Sequence, residues 1–173
     1  MKINTLIQSQ VKKDYFFLEG FCNIDAEYFI DKIKEGIHKE GNWSFRTNVH
    51  GGMTDWTYFL KDQKFWEVMW PIMNELEKIM KLRNFKINEV WGLEEAYSGR
   101  TKEHDHIPSV CSGVIYLNDV NQTLYFPEIK KEVVPARGKF VLFDGILRHY
   151  ANRNLTQTPK YALSFNGDPI KDF

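Results

Sequence analysis

Three of the five histidines stand where they could hold one metal ion: His104 and His106, two residues apart, and His149, beyond a distant apolar run. In an extended segment residues i and i+2 share a face, so His104 and His106 can approach one ion while Asp105 points away. The run Gly138-Lys139-Phe140-Val141-Leu142-Phe143-Asp144, followed by Gly145-Ile146-Leu147-Arg148-His149, reads as a buried strand that delivers His149 just past its end. Three imidazoles on one side of an ion suit iron, zinc, copper or nickel and leave positions open for other ligands. Spacing alone leaves a second reading open, with His104 and His106 facing solvent beside Lys102 and Glu103 and His149 a hydrogen-bonded turn residue. His38 and His50 lack partners at useful spacing; they read as a helix-surface and a loop residue, although His50-Gly51-Gly52 could border a pocket.

The elements that would position these side chains divide the chain in two. After an extended opening through Tyr15-Phe16-Phe17-Leu18, Asn23 or Asp25 caps a helix over Ala26 to Lys39, with Phe29, Ile30, Ile33 and Ile37 on one apolar face. A second helix runs from about Gln63 to Lys81, where Phe65, Met69, Met73, Leu76, Ile79 and Met80 recur at helical spacing and Pro71 marks a kink or restart. From Phe85 onward short alternating segments predict strands: Lys86 to Tyr97, Ser112 to Leu117, Thr123 to Phe126, Glu132 to Val134, Lys139 to Phe143 and Lys160 to Asn166. Short strands at this spacing point to an antiparallel sandwich or barrel. The expectation is a single domain over 1–173, with 1–84 a helical support region and 85–173 a metal-binding β core. The polar, glycine-rich stretch from Arg46 to Trp56 is either a lid or substrate loop, or a connection anchored by Trp56.

Composition disfavours several function classes, although a local basic patch remains open. Lysine plus arginine, 23, equals aspartate plus glutamate, 23, so no global field draws the chain to nucleic acid or an anionic membrane. The start has no apolar h-region and no stretch approaches a membrane span, which predicts a soluble, cytosolic protein. Cys22 and Cys111 are far apart and outside any CxxC spacing; both read as buried thiols. No GxxxxGK[ST], GxGxxG or nucleophile-elbow sequence occurs, which disfavours nucleotide-dependent and serine-hydrolase chemistry.

The block from Tyr97 through His104-Asp105-His106 to Ser112-Gly113-Val114-Ile115-Tyr116-Leu117-Asn118, taken with Gly138 to His149 and Lys160-Tyr161-Ala162-Leu163-Ser164-Phe165-Asn166, resembles the 2-oxoglutarate/Fe(II) oxygenase superfamily. It is most similar to the short branch with an H-x-H segment followed by SGVxYL, known from bacteria and T4-like marine phages, and more distantly to the prolyl hydroxylases. The resemblance implies a double-stranded β-helix, or jelly roll, with N-terminal helices on one sheet. It implies Fe(II) on His104, His106 and His149, with 2-oxoglutarate as co-substrate and O2 as oxidant. The reaction would release succinate and CO2 and hydroxylate an amino-acid or peptidyl, prolyl-type substrate. The enzymatic alternative is a cupin-like metalloenzyme working without 2-oxoglutarate; the other is a jelly-roll binding module.

Two departures from the commonest family pattern matter. His106 stands where an aspartate is usual, implying a three-histidine site with one more positive charge, unless the backbone turns Asp105 inward. The basic residue that holds the distal carboxylate of the keto acid is usually arginine; here it falls on Lys160, which keeps the charge and loses the bidentate fork. Tyr116 matches a strand tyrosine that hydrogen-bonds the same carboxylate, Tyr97 is a further candidate, and Arg153 is the reserve should Lys160 face solvent.

Overall fold

The computed structural model describes residues 14–40, 48–80 and 85–169 of the chain. Eleven strands are present among them: β1 Phe17–Phe21, β2 Val49–His50, β3 Gly52–Met53, β4 Phe85–Glu95, β5 Arg100–His104, β6 Cys111–Tyr116, β7 Leu124–Phe126, β8 Lys131–Val133, β9 Lys139–Asp144, β10 His149–Ala151 and β11 Lys160–Pro169. Two α-helices, α1 Ala26–Glu40 and α2 Gln63–Met80, and a 3-10 turn at Pro127–Ile129 complete the described elements. The strands form a major sheet in the order β1-β9-β6-β11-β4-β3 and a minor sheet in the order β2-β5-β10-β7-β8, every pairing antiparallel. This is the jelly roll with flanking helices that the sequence predicts.

The major sheet is apolar on both faces because each face has its own cover. On β11 the odd residues Tyr161, Leu163 and Phe165 join Phe29, Ile33, Ile37, Phe65 and Met69 of the helices in one buried core. The even residues Lys160, Ala162 and Ser164 face the minor sheet and line an internal cavity. A second core, with Val114, Phe126, Val133, Val141 and Phe143, closes the far end of the sandwich. Asp25 caps α1 through the Tyr28 amide at 3.3 Å, and Asp62 caps α2 through the Phe65 amide at 3.1 Å. Helix α2 continues through Pro71, which is exposed. Among the described residues no helix is long and apolar enough to cross a membrane. Cys111 is buried and Cys22 half-buried; burial pushes their thiols up to about 12 and about 11.

The N-terminal half supplies strands as well as helices. β1 forms an edge of the major sheet by pairing with β9. Residues 48–56, within the stretch read as a lid or a connection, cross from one sheet to the other: β2 pairs with β5 and β3 with β4. Trp56 then packs edge-on against Trp91, ring centroids 4.8 Å apart. Arg46 and Thr47 lie outside the described residues, as does the His38 side chain; His50 is exposed on β2.

Candidate metal centre

Sheet register brings two of the three histidines together. His149 opens β10 and is the direct cross-strand partner of His104, the last residue of β5. Directly opposed residues on one sheet face place their side chains within contact distance; here the ring centroids are 4.3 Å apart. His106 follows two residues later, and its backbone N–H donates to Gly145 O at 2.8 Å, tying the segment after β5 to the turn before β10. Ligand-type atoms of His104, His106 and His149 all lie within 4.8 Å of one another. Asp105 is exposed and its Oδ1 accepts the Ile107 amide at 3.2 Å, so the i, i+2 alternation holds and the carboxylate points away.

The tautomers of His104 and His149 are set by the backbone. A carbonyl can only accept, so the contacts from His104 Nδ1 to Lys102 O at 2.8 Å and from His149 Nδ1 to Leu147 O at 3.1 Å require a proton on each Nδ1. The lone pairs therefore sit on Nε2. His106 Nε2 and His149 Nε2 are 3.3 Å apart. Two nitrogens bound at the ~2.0–2.1 Å typical of imidazole on a divalent ion would be separated by about 3.0–3.4 Å. Backbone carbonyls that fix ring orientation in this way are the usual outer support of metal-binding histidines. Phe126 and Phe143 pack on His149, which is 5 % exposed. Burial, followed by the neighbouring imidazoles, holds His149 well below its ordinary value and His106 down at about 3; burial lowers His104 too. All three rings are thus neutral donors at physiological pH.

The cavity beside these rings runs between the sheets, with Val114, Leu124, Phe143 and Ala162 as apolar walls and Tyr116 and Lys160 at its other polar end. Lys160 is 4 % exposed, so it does not face solvent. Its ammonium forms a buried ion pair with Glu95, its cross-strand partner on β4, which is fully buried. Thr101 Oγ1 donates to the other Glu95 oxygen at 2.7 Å. Tyr116 is buried in the same wall; burial first, and the Glu95 charge second, push its hydroxyl pKa up and keep it a donor. Tyr97 lies elsewhere. Ser98 takes a positive φ of 66° and Gly99 closes the turn onto Ala96 O at 2.8 Å, which leaves Tyr97 58 % exposed and outside the cavity lining. Arg153 is exposed on the segment after β10, likewise outside it. Glu95 and Thr101 were not singled out by sequence reasoning; the β4–β11 register reveals the first and the hydrogen bond from Thr101 to Glu95 the second.

Gly145 governs the loop that carries His106. A Cβ at this position would stand 2.0 Å from Ser109 O, a backbone atom that cannot swing aside. Gly145→Ala is expected to displace residues 106–110 and weaken Fe(II) or Zn(II) affinity by roughly 10- to 100-fold, the loss typical of disturbing a ligand's support. Chelator competition measures this, with His104 and His149 intact in the variant.

No protein-family model matches this sequence, and no curated protein matches it. Solved structures do match in three dimensions. The 2OG complex of the viral collagen prolyl hydroxylase vCPH from Paramecium Bursaria Chlorella virus-1 is 15% identical, with a TM-score of 0.65, covering 90% of this chain and 96% of that one. A prolyl-4-hydroxylase from Pseudomonas putida is 13% identical, with a TM-score of 0.65, covering 90% and 93%. The non-heme alpha ketoglutarate dependent carbocyclase SnoK from nogalamycin biosynthesis is 13% identical, with a TM-score of 0.68, covering 91% and 89%. What the chain shares with these proteins at such identities is the jelly-roll fold, over nearly its whole length.

Proposed function

We propose that this protein is a non-haem Fe(II), 2-oxoglutarate-dependent dioxygenase that hydroxylates an amino-acid or peptidyl substrate. The observation that carries the reading is the convergence of His104, His106 and His149 at one end of a cavity whose other polar end holds Lys160 and Tyr116. The fold's likeness to prolyl hydroxylases and other alpha-ketoglutarate-dependent enzymes supports it.

The donor set fits the metal. Three neutral imidazoles with ligand-type nitrogens within 4.8 Å of one another suit Fe(II) and leave one face for other ligands. Bound there, Fe(II) supplies oxygen activation coupled to decarboxylation of the keto acid to succinate and CO2. The chain's own residues do the rest. Lys160 has three N–H donors; one is turned to Glu95, and the others are free to take a distal carboxylate. The Tyr116 hydroxyl donates alongside. Glu95 and Thr101 fix the ammonium from behind, and the apolar walls exclude water.

One observation favours a second reading, a three-histidine metalloenzyme that uses no keto acid: the Lys160 charge is already matched by Glu95. One experiment separates the two. Anaerobic addition of Fe(II) and 2-oxoglutarate to the metal-free protein is expected to give the visible charge-transfer band of an iron-chelated keto acid, lost in His149→Ala. Iron binding without a band rejects the 2-oxoglutarate reading and leaves the second.

A further inference from the structure

Beside the three histidines a groove of ≈ 350 Å³ opens on the outer side of His104 and His106. This is ample for a substrate side chain. Among the described residues its lining contains three carboxylates, Glu89, Asp105 and Asp168, and no lysine or arginine. One wall is aromatic, formed by Trp56 and Trp91 packed edge-on at an interplanar angle of 68°.

The acidic end is built by a bulge. On β4, Val90 and Ile87 face the helices, whereas Glu89 and Trp91 face the groove. The β4–β11 register jumps here: Asn166 pairs with Glu89, but Gly167 already pairs with Ile87, leaving Asn88 as the extra residue. Asn88 therefore also lines the groove, although strict alternation would turn it to the helices. Its amide donates to Asp168 Oδ2 at 2.5 Å, and the Asn166 amide donates to Glu89 Oε2 at 2.7 Å. Each bond uses one N–H of its amide; the buried Trp91 Nε1 has no partner, and acceptors are left over as well. The buried Oδ1 atoms of Asn88, Asn166 and Asp168 have no partner, and Asn166 is only 6 % exposed. Unpaired acceptors in a buried setting cost free energy unless a donor meets them. Two carboxylates, two unpartnered amide oxygens and a tryptophan wall form a receptor for a positively charged donor group.

We propose that this groove binds the cationic end of the substrate, an ammonium or guanidinium such as a basic amino-acid side chain carries, and that Glu89 and Asp168 select it by charge. The proposal rests on the oxygenase reading for what happens next. With the cation held at Glu89 and Asp168, a C–H bond nearer the histidines is the one presented for reaction. One oxygen atom of O2 enters that C–H bond as hydroxyl, and the other enters succinate as the keto acid loses CO2.

The test is calorimetric titration with Nα-acetyl-lysine amide, with its Nε-acetylated counterpart of the same backbone and no charge, and with Nα-acetyl-arginine amide. Each is titrated into the metal-free protein and into the anaerobic protein loaded with Fe(II) and 2-oxoglutarate. Saturable binding of a cationic probe in either state, with the acetylated probe at least tenfold weaker, is expected. The double variant Glu89→Gln, Asp168→Asn should weaken the cationic probe at least tenfold while leaving its thermal unfolding cooperative. Equal binding of charged and acetylated probes, unchanged affinity in a folded double variant, or no binding of either cation in both states overturns the proposal. If the cation binds and the charge-transfer band never forms, the oxygenase reading falls and the cation site stands; a band without cation binding rejects the cation site alone.

Discussion

His149→Ala is expected to cut metal affinity by more than about 100-fold, because disturbing only the outer support of a ligand already costs about 10- to 100-fold. The residue contributes one of three neutral imidazole donors, and its ring is pinned by Leu147 O, Phe126 and Phe143. No other described side chain can take its place: Asp105 faces outward with its Oδ1 on the Ile107 amide. The measurement is competition for Fe(II) or Zn(II) against a calibrated chelator. His50→Ala, at the exposed residue of edge strand β2, is the control that should bind as the parent does. Equal affinity in His149→Ala and the parent would exclude the three-histidine site.

The largest stability effect is expected from Lys160→Ala. It leaves the Glu95 carboxylate fully buried, with Thr101 as its one remaining side-chain donor. Removing one partner of a buried ion pair costs about 3–5 kcal/mol. For a chain of this size that is a fall of roughly 6–20 °C in Tm. Replacing both partners with apolar residues of similar volume, Lys160→Met with Glu95→Leu, should recover most of the loss, since the desolvation cost of both charges disappears together. The same double variant should fail to form the keto-acid band, which separates the pair's structural part from the functional one. A Tm unchanged in Lys160→Ala would show that the pair is solvated rather than buried.

The parts of the fold that were legible are those with strong local periodicity. The apolar faces of α1 and α2 announced themselves at helical spacing, and β6, β9 and β11 are apolar enough to be recognised one by one. The minor sheet was largely hidden. β5 reads Arg-Thr-Lys-Glu-His, and β2 and β10 are two and three residues long, so their strand character comes from the ladder they join. The histidine triad was legible because period-2 alternation is local, and the third member follows a recognisable strand. Glu95 was not legible, since a charged residue near a strand end looks solvated until the register sets it opposite Lys160. The Asn88 bulge is equally silent, because one inserted residue changes no composition and shows itself only as a jump in pairing. Tyr97 illustrates the reverse problem: its place in the motif pointed inward, but the tight turn at Ser98 and Gly99 throws it out.

The opposition of His104 and His149 across β5 and β10 has a kinetic consequence. The residues come from distant parts of the chain, and the segment of His104 and His106 alone gives only two of the three ligands, so the complete site waits for β10. The ladder must close before an ion can be gripped, and such non-local pairing is slow to form. An ion bound there therefore stabilises the native state far more than the state crossed on the way to it. It should lengthen the lifetime of the closed sandwich, by slowing the separation of β10 from β5, while leaving the rate of folding nearly unchanged.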